Sequence, residues 1–122
     1  SSSNEIQSVV ESMVGKVDAI YVPTDNVIAA GMTTVATITN NDHKIHIIGA
    51  EAAHVENGAL ATYGIDYFEV GKLAGEQAVE ILNGKAPADI PIAYLPKDKC
   101  KLVINDEVAK ELGIDTSNIS ME

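Results

Sequence analysis

Apolar positions along the chain follow two rhythms, one of helical spacing and one of short continuous runs, and they alternate. Ile6, Val9, Val10, Met13 and Val14 form a helical stripe that Ser3 or Asn4 can cap and Gly15 ends. Residues 18–22 then read as a strand that is apolar on both sides, the pattern of a parallel sheet with helices over both faces. A helix is predicted from about Asp25 to Ile38, capped by Thr24 or Asp25, with repeated Ala, Gly and Thr that permit close approach to a sheet. Asn40-Asn41-Asp42 reads as a turn, and residues 44–49, KIHIIG, as the next strand. Residues 50–58 read as a loop or short helix ending at Gly58, and residues 60–63 as a short strand.

The most regular helix runs from Tyr67 to Leu82, capped by Asp66 and stopped by Asn83-Gly84. Val70, Leu73, Ala74, Ala78, Ile81 and Leu82 lie on one stripe of it. After the loop KAPADIP, two short strands are predicted at about 91–95 and 100–103. A last helix extends from Asn105 or Asp106 to Leu112 and is closed by Gly113. Residues 115–122, DTSNISME, are expected to form a flexible tail. Strands alternating with helices predict an α/β fold with a mostly parallel sheet, Rossmann-like or flavodoxin-like.

In such sheets ligands sit beyond the carboxyl ends of the strands, where the loops enter the helices. Three of these junctions carry polar groups: PTDN at 23–26, GAEAAH at 49–54 and YGIDYF at 63–68. Thr24, Asp25, Asn26, Glu51, Asp66 and Tyr67 are therefore the candidate ligand residues. The same positions have plainer roles open to them. Asp25 and Asp66 read as helix caps, Thr24 and Asn26 as turn residues, Glu51 as a loop acid, and Tyr67 as a packing residue.

Composition narrows the chemistry. Eight lysines, no arginine and eighteen acids give a formal charge of −10, which argues against nucleic acid and against a strongly anionic ligand. The single cysteine, Cys100, excludes an internal disulfide and a thiolate metal cluster. His43, His46 and His54 lack metal-ligand spacing, and no Walker-type, GxGxxG or GxSxG motif is present. No enzyme activity, metal or cofactor is expected. No apolar run reaches the roughly 18 residues of a membrane span. With no tryptophan and one phenylalanine, the core must be aliphatic, and the length suits one compact domain.

Three segments taken together carry a resemblance: VDAIYVPTDN (17–26), GIDYFEVGKLAGEQAVEILNGKAPADIP (64–91) and INDEVAKELGI (104–114). Over about residues 2–114 the chain resembles the C-terminal part of ABC-transporter solute-binding proteins of the tryptophan/tyrosine type. The resemblance implies one lobe of a type I periplasmic-binding fold, in which two Rossmann-like lobes joined by three crossings close on a small solute, an aromatic amino acid in some members. It implies a permease partner, an extracytoplasmic or lipid-anchored location, and no catalysis. By position, Thr24, Asp25, Asn26, Glu51 and Ala52 would line the cleft edge, and Gly64-Ile65-Asp66-Tyr67 would fall at a crossing. Effector-sensing domains of LacI-like regulators are similar through this region and are the alternative reading. The opening, SSSNEIQSVV, reads as a loop-to-helix junction, so residues 1–114 are expected to be a portion of a two-lobed protein. The 67–82 stripe would then need another partner in this chain, and a homodimer is the expected solution.

Overall fold

The computed structural model describes residues 3–119. The expected caps, Ser3 and Asn4, have side chains outside the described set, as do residues 120–122 of the expected tail. The chain divides into two compact units rather than one: residues 1–64 with 102–122, and residues 65–101.

The first unit carries the sheet. Its elements are α1 (Ser3–Met13), β1 (Ala19–Val22), α2 (Asn26–Ile38), β2 (His46–Gly49), α3 (Ala52–Glu56), β3 (Ala61–Gly64), β4 (Lys101–Ile104, opening on the last residue of the other unit) and α5 (Asp106–Leu112). The strands lie in the order β1-β2-β3-β4. β1 runs parallel to β2 with Ile20 opposite Ile47 and Val22 opposite Gly49, and β2 runs parallel to β3 with Gly49 opposite Thr62.

The core is aliphatic, as the composition requires. Val10 of α1, Met32 and Val35 of α2, Val22, Ile47, Val55 and Ala59 are buried together, with Ile6, Ile20, Ile28 and Val103 packed around them. Each of the valine, isoleucine and methionine side chains contributes about 1.5–3 kcal/mol when fully buried. α1 and α2 approach closely because Gly31 has no side chain: a Cβ there would stand 2.6 Å from the Ile6 Cδ1 methyl. A second cluster joins Leu60 to Val108, Ala109 and Leu112 of α5. Asn105 anchors that helix. Its Oδ1 accepts from Val108 N at 3.1 Å, its Nδ2 donates to the Val55 carbonyl at 3.1 Å, and its N–H reaches Leu60 O at 2.9 Å.

Residues 40–42, expected to be a turn, instead continue α2 as a π-helical turn over Thr39–His43. Side chains make the continuation possible. Thr39 Oγ1 donates to Val35 O at 3.0 Å, and Asn40 Nδ2 donates to Gly58 O at 2.9 Å, so both polar groups are satisfied while buried. Lys44 then turns the chain with φ 49°.

The second unit holds α4 (Tyr67–Leu82), two 3₁₀ turns at Pro87–Asp89 and Lys97–Lys99, and extended chain between them. The strand expected at 91–95 does not form. Pro91 and Pro96 bracket the segment, proline offers no N–H to a ladder, and the Pro91 carbonyl accepts instead from the Gln77 side chain at 2.9 Å. None of this unit's residues is fully buried. The α4 stripe stays at the surface, with Ile81 at 44% and Leu82 at 85% exposure.

Gly58 has φ 108°, and a Cβ there would stand only 2.4 Å from that of Ala36. Gly58→Ala therefore combines a disfavoured backbone with an overlap against α2, and a loss of about 1–3 kcal/mol is expected in urea denaturation. A change of only a few tenths would show that the α2–α3 contact is looser than described.

Candidate functional site

Because β1, β2 and β3 are parallel, their carboxyl ends share one edge of the sheet. Val22 and Gly49 are register partners, and Ala50 N donates to Val22 O at 2.9 Å just beyond the last pair. The junctions at 23–26 and 50–52 are thereby neighbours. Thr24, Asp25 and Asn26 are exposed, Ala52 is exposed, and Glu51 is partly covered. Asp66 and Tyr67 open the second unit.

Asp25 sits at the head of α2 in extended conformation and caps it, Oδ1 accepting from Val27 N at 2.8 Å and Ile28 N at 3.0 Å. Its first-turn donors are thus engaged, while the carboxylate remains on an exposed residue. Glu51 precedes α3 without a side-chain cap bond. Its carboxylate, 16% exposed, turns toward the buried imidazole of His54, 3.4 Å from Nε2. The two groups are in contact without a hydrogen bond, and both imidazole nitrogens lack a hydrogen-bond partner. The imidazole fits because position 49 is glycine: a Cβ there would lie 2.5 Å from His54 Cβ and 3.0 Å from Nδ1. Thr62, opposite Gly49 in the register, is also buried with its hydroxyl unpartnered.

Neither junction contains a lysine. Lys16 and Lys44 precede β1 and β2 in sequence and so lie toward the opposite edge of the parallel pair. The carboxyl edge is therefore locally acidic, a place for a cationic or hydrogen-bond-donating group. Alongside β1 an apolar cleft of about 190 Å³ runs between α1 and α2, lined by Val9, Met13, Ile20, Tyr21, Pro23 and Ile28 among others. Among the described residues, no three His, Cys, Asp or Glu side chains gather as a metal site.

In the second unit Asp66 caps α4, accepting from Phe68 N at 2.9 Å, and pairs with Lys101 at 2.5 Å. The two partners are neighbours of the two points where the chain passes between units, Gly64–Ile65 and Lys101–Leu102. The Lys101 side-chain bond, helped by the Phe68 amide, holds the Asp66 carboxyl below its usual value of 3.8, and the same bond raises Lys101 above 10.5. Tyr67 follows on α4 and is exposed.

A family model described as ABC transporter substrate binding protein matches residues 1–121. The chain belongs to the ABC transporter substrate-binding protein family. A tyrosine-binding protein of Clostridioides difficile (strain R20291) is 45% identical over 114 residues, 93% of this chain and 32% of that protein. Among solved structures, an ABC domain from Streptococcus pneumonia in complex with L-Trp superposes with a TM-score of 0.82 at 43% identity, over 96% of this chain and 39% of the other. A ligand-free, open substrate-binding protein with adhesive properties from Clostridium difficile gives 0.74 at 43% identity, over 97% and 39%. A conserved domain protein of Vibrio cholerae gives 0.79 at 32% identity, over 93% and 38%. This chain spans about a third of the length of its curated substrate-binding relative.

The sequence points to the polar junctions and to the caps at Asp25 and Asp66, but it does not reveal that His54 and Thr62 are buried, because they look like ordinary polar residues of a loop and a strand. The usable signal was Glu51 and His54 three apart at the start of a helix, behind a glycine that ends a strand.

Two predictions follow from this geometry. Asp25→Asn should leave stability nearly unchanged and Asp25→Ala should cost about 1 kcal/mol in urea denaturation, because asparagine caps α2 as well as aspartate does. Equal losses would mean that the carboxylate charge itself is required. For the Asp66–Lys101 pair, a depressed carboxyl favours the native state above pH 3.8, and that contribution is lost as pH falls through the lower native value. A raised ammonium favours it below pH 10.5, a contribution lost as pH rises through the higher native value. In a ¹³C carboxyl titration, Lys101→Gln should move the Asp66 midpoint upward; an unmoved midpoint would show that the Phe68 amide alone sets it.

Proposed function

We propose that this chain supplies one wall of the solute site of an ABC importer's binding protein, with an aromatic amino acid as the solute and an ABC permease as the partner that receives it. In this reading the parent protein works outside the cytoplasm or anchored at the cell surface, and it catalyses nothing. Family membership supports the transport role over the effector-sensing alternative. The tyrosine-binding and L-Trp-bound relatives support the solute class. Among the described residues, no helix is long and apolar enough to cross a membrane, which fits a component that hands its solute to a separate permease.

The observation that carries the ligand assignment is the acidic edge. Asp25 and Glu51 stand at adjacent strand ends with no lysine in either junction, so this wall faces the ammonium group of an amino acid rather than its carboxylate. Thr24 and Asn26 add hydrogen-bonding side chains to the same edge, and Ala52 leaves room beside Glu51. Asp66 and Tyr67 are proposed as ligand contacts of the second unit taken by itself. One wall alone supports only weak binding, with a Kd on the order of 1 mM, equivalent to about −4 kcal/mol.

Titrating the ¹⁵N-labelled chain with L-tryptophan tests this. Amide shifts should move at residues 24–27 and 50–53 and should not move there with glucose at equal concentration. Shifts elsewhere only, or a response to glucose alone, would contradict it. For the chain on its own we also propose pairing through the exposed α4 stripe. Light scattering over a dilution series should show the mass rising toward that of a dimer, and a monomer mass at every concentration would refute it.

A further inference from the structure

We propose that His54 is a positioning residue: its buried imidazole holds the Glu51 carboxylate at the carboxyl end of β2, where that carboxylate meets the ligand's ammonium group. The proposal rests on the solute reading above and adds a residue that no ligand would touch.

A histidine side chain with no solvent exposure is costly unless its polar atoms are used. Here the chain spends a glycine to accommodate one. Without a side chain at position 49, the His54 side chain packs against the end of β2: a Cβ there would stand 2.5 Å from His54 Cβ and 3.0 Å from Nδ1. Nε2 lies 3.4 Å from Glu51 Oε1 without a hydrogen bond between them, so a modest reorientation of the carboxylate or the ring is what would make one. A neutral imidazole with its proton on Nε2 donates to the carboxylate and leaves Nδ1 as an acceptor. Thr62, whose buried hydroxyl also lacks a partner, lies opposite Gly49 in the register and so on the face that the imidazole covers.

Glu51 itself is only 16% exposed although it begins a five-residue helix at the sheet edge. A glutamate there would ordinarily extend into water. Contact with His54 gives it a defined place, and a carboxylate held in place binds a cation without first losing side-chain freedom. Asp25, whose carboxylate is fixed by the α2 amides, is arranged by the same logic. One acid is held by backbone donors and its neighbour by a buried ring.

Two probes separate the ammonium from the rest of the ligand: L-tryptophan and indole-3-propionate, which lacks the amino group. The wild-type chain should prefer tryptophan by about tenfold in shift titrations, a typical factor for a hydrogen bond to a charged group. Glu51→Gln should abolish most of that preference. His54→Phe keeps the ring volume and the net charge, so loss of the preference in this variant isolates positioning from general electrostatics. His54→Gln, which restores a donor, should recover part of it. A His54→Phe protein that folds and keeps the full preference would overturn the proposal.

A ligand-free measurement guards against a variant that does not fold. In wild-type protein, long-range ¹H–¹⁵N spectra should show His54 protonated at Nε2, with a resonance that shifts in Glu51→Gln. Protonation at Nδ1 alone, or no response to Glu51→Gln, overturns the pairing. If the imidazole responds as expected but neither probe binds the wild type, the solute reading fails, the ligand half of the proposal falls with it, and the His54–Glu51 contact stands as structural.

Discussion

The parallel pairing of β1 with β2 is the constraint on which the site depends. Val22 faces Gly49, and the Ala50 amide closes on the Val22 carbonyl one step further along. That last bond determines where both chains leave the sheet. Past it, one strand turns at Pro23 into α2 and the other turns at Glu51 into α3, so two acidic junctions separated by 23 residues of sequence, 27–49, become neighbours. Slipping the register by one residue would turn Ile47 outward and remove Gly49 from beneath His54, so core and site depend on the same alignment.

Much of this was legible because the signals were local. Asp25, Asp66 and Asn105 each combine an extended backbone with a side chain that reaches the first turn of a helix, and each stands where apolar strand residues give way to helical spacing. The carboxyl-edge location of the junctions needed only the inference that the strands are parallel. What was not legible depended on partners distant in sequence. The segment around Ile92 and Tyr94 alternates as a strand should, but a strand also needs a neighbour, and two prolines remove donors it would need. Nothing in the run TITNNDH reveals that Asn40 would find the Gly58 carbonyl and carry the helix through a π turn. The burial of His54 is hidden for the same reason: it is decided by an absent side chain at Gly49 on the strand beneath it.

The two units differ in how they are held. The first has a core of interlocking aliphatic side chains, although Tyr21, Ile48 and Tyr63, which alternate with the core positions of their strands, keep 67, 38 and 54% of their surface. The second has no fully buried residue and is held by helix hydrogen bonds, the Gln77–Pro91 contact and ion pairs such as Asp66–Lys101 and Glu80–Lys85. Apolar side chains left on both surfaces fit a chain that spans only about a third of its curated relative's length. The acidic edge therefore lies on the better-packed unit.

Amide hydrogen exchange at Ala50 tests the central claim most directly. This residue lies outside β2, beside an exposed loop, and its only described reason to be protected is the bond to Val22 O that clamps the two junctions together. The account predicts exchange at Ala50 as slow as at the strand amides of Ile47 and Ile48, together with a scalar coupling across the hydrogen bond to the Val22 carbonyl. Exchange at the rate of an open loop, with no such coupling, would mean that the junctions are not held side by side and that the acidic edge is not a built site.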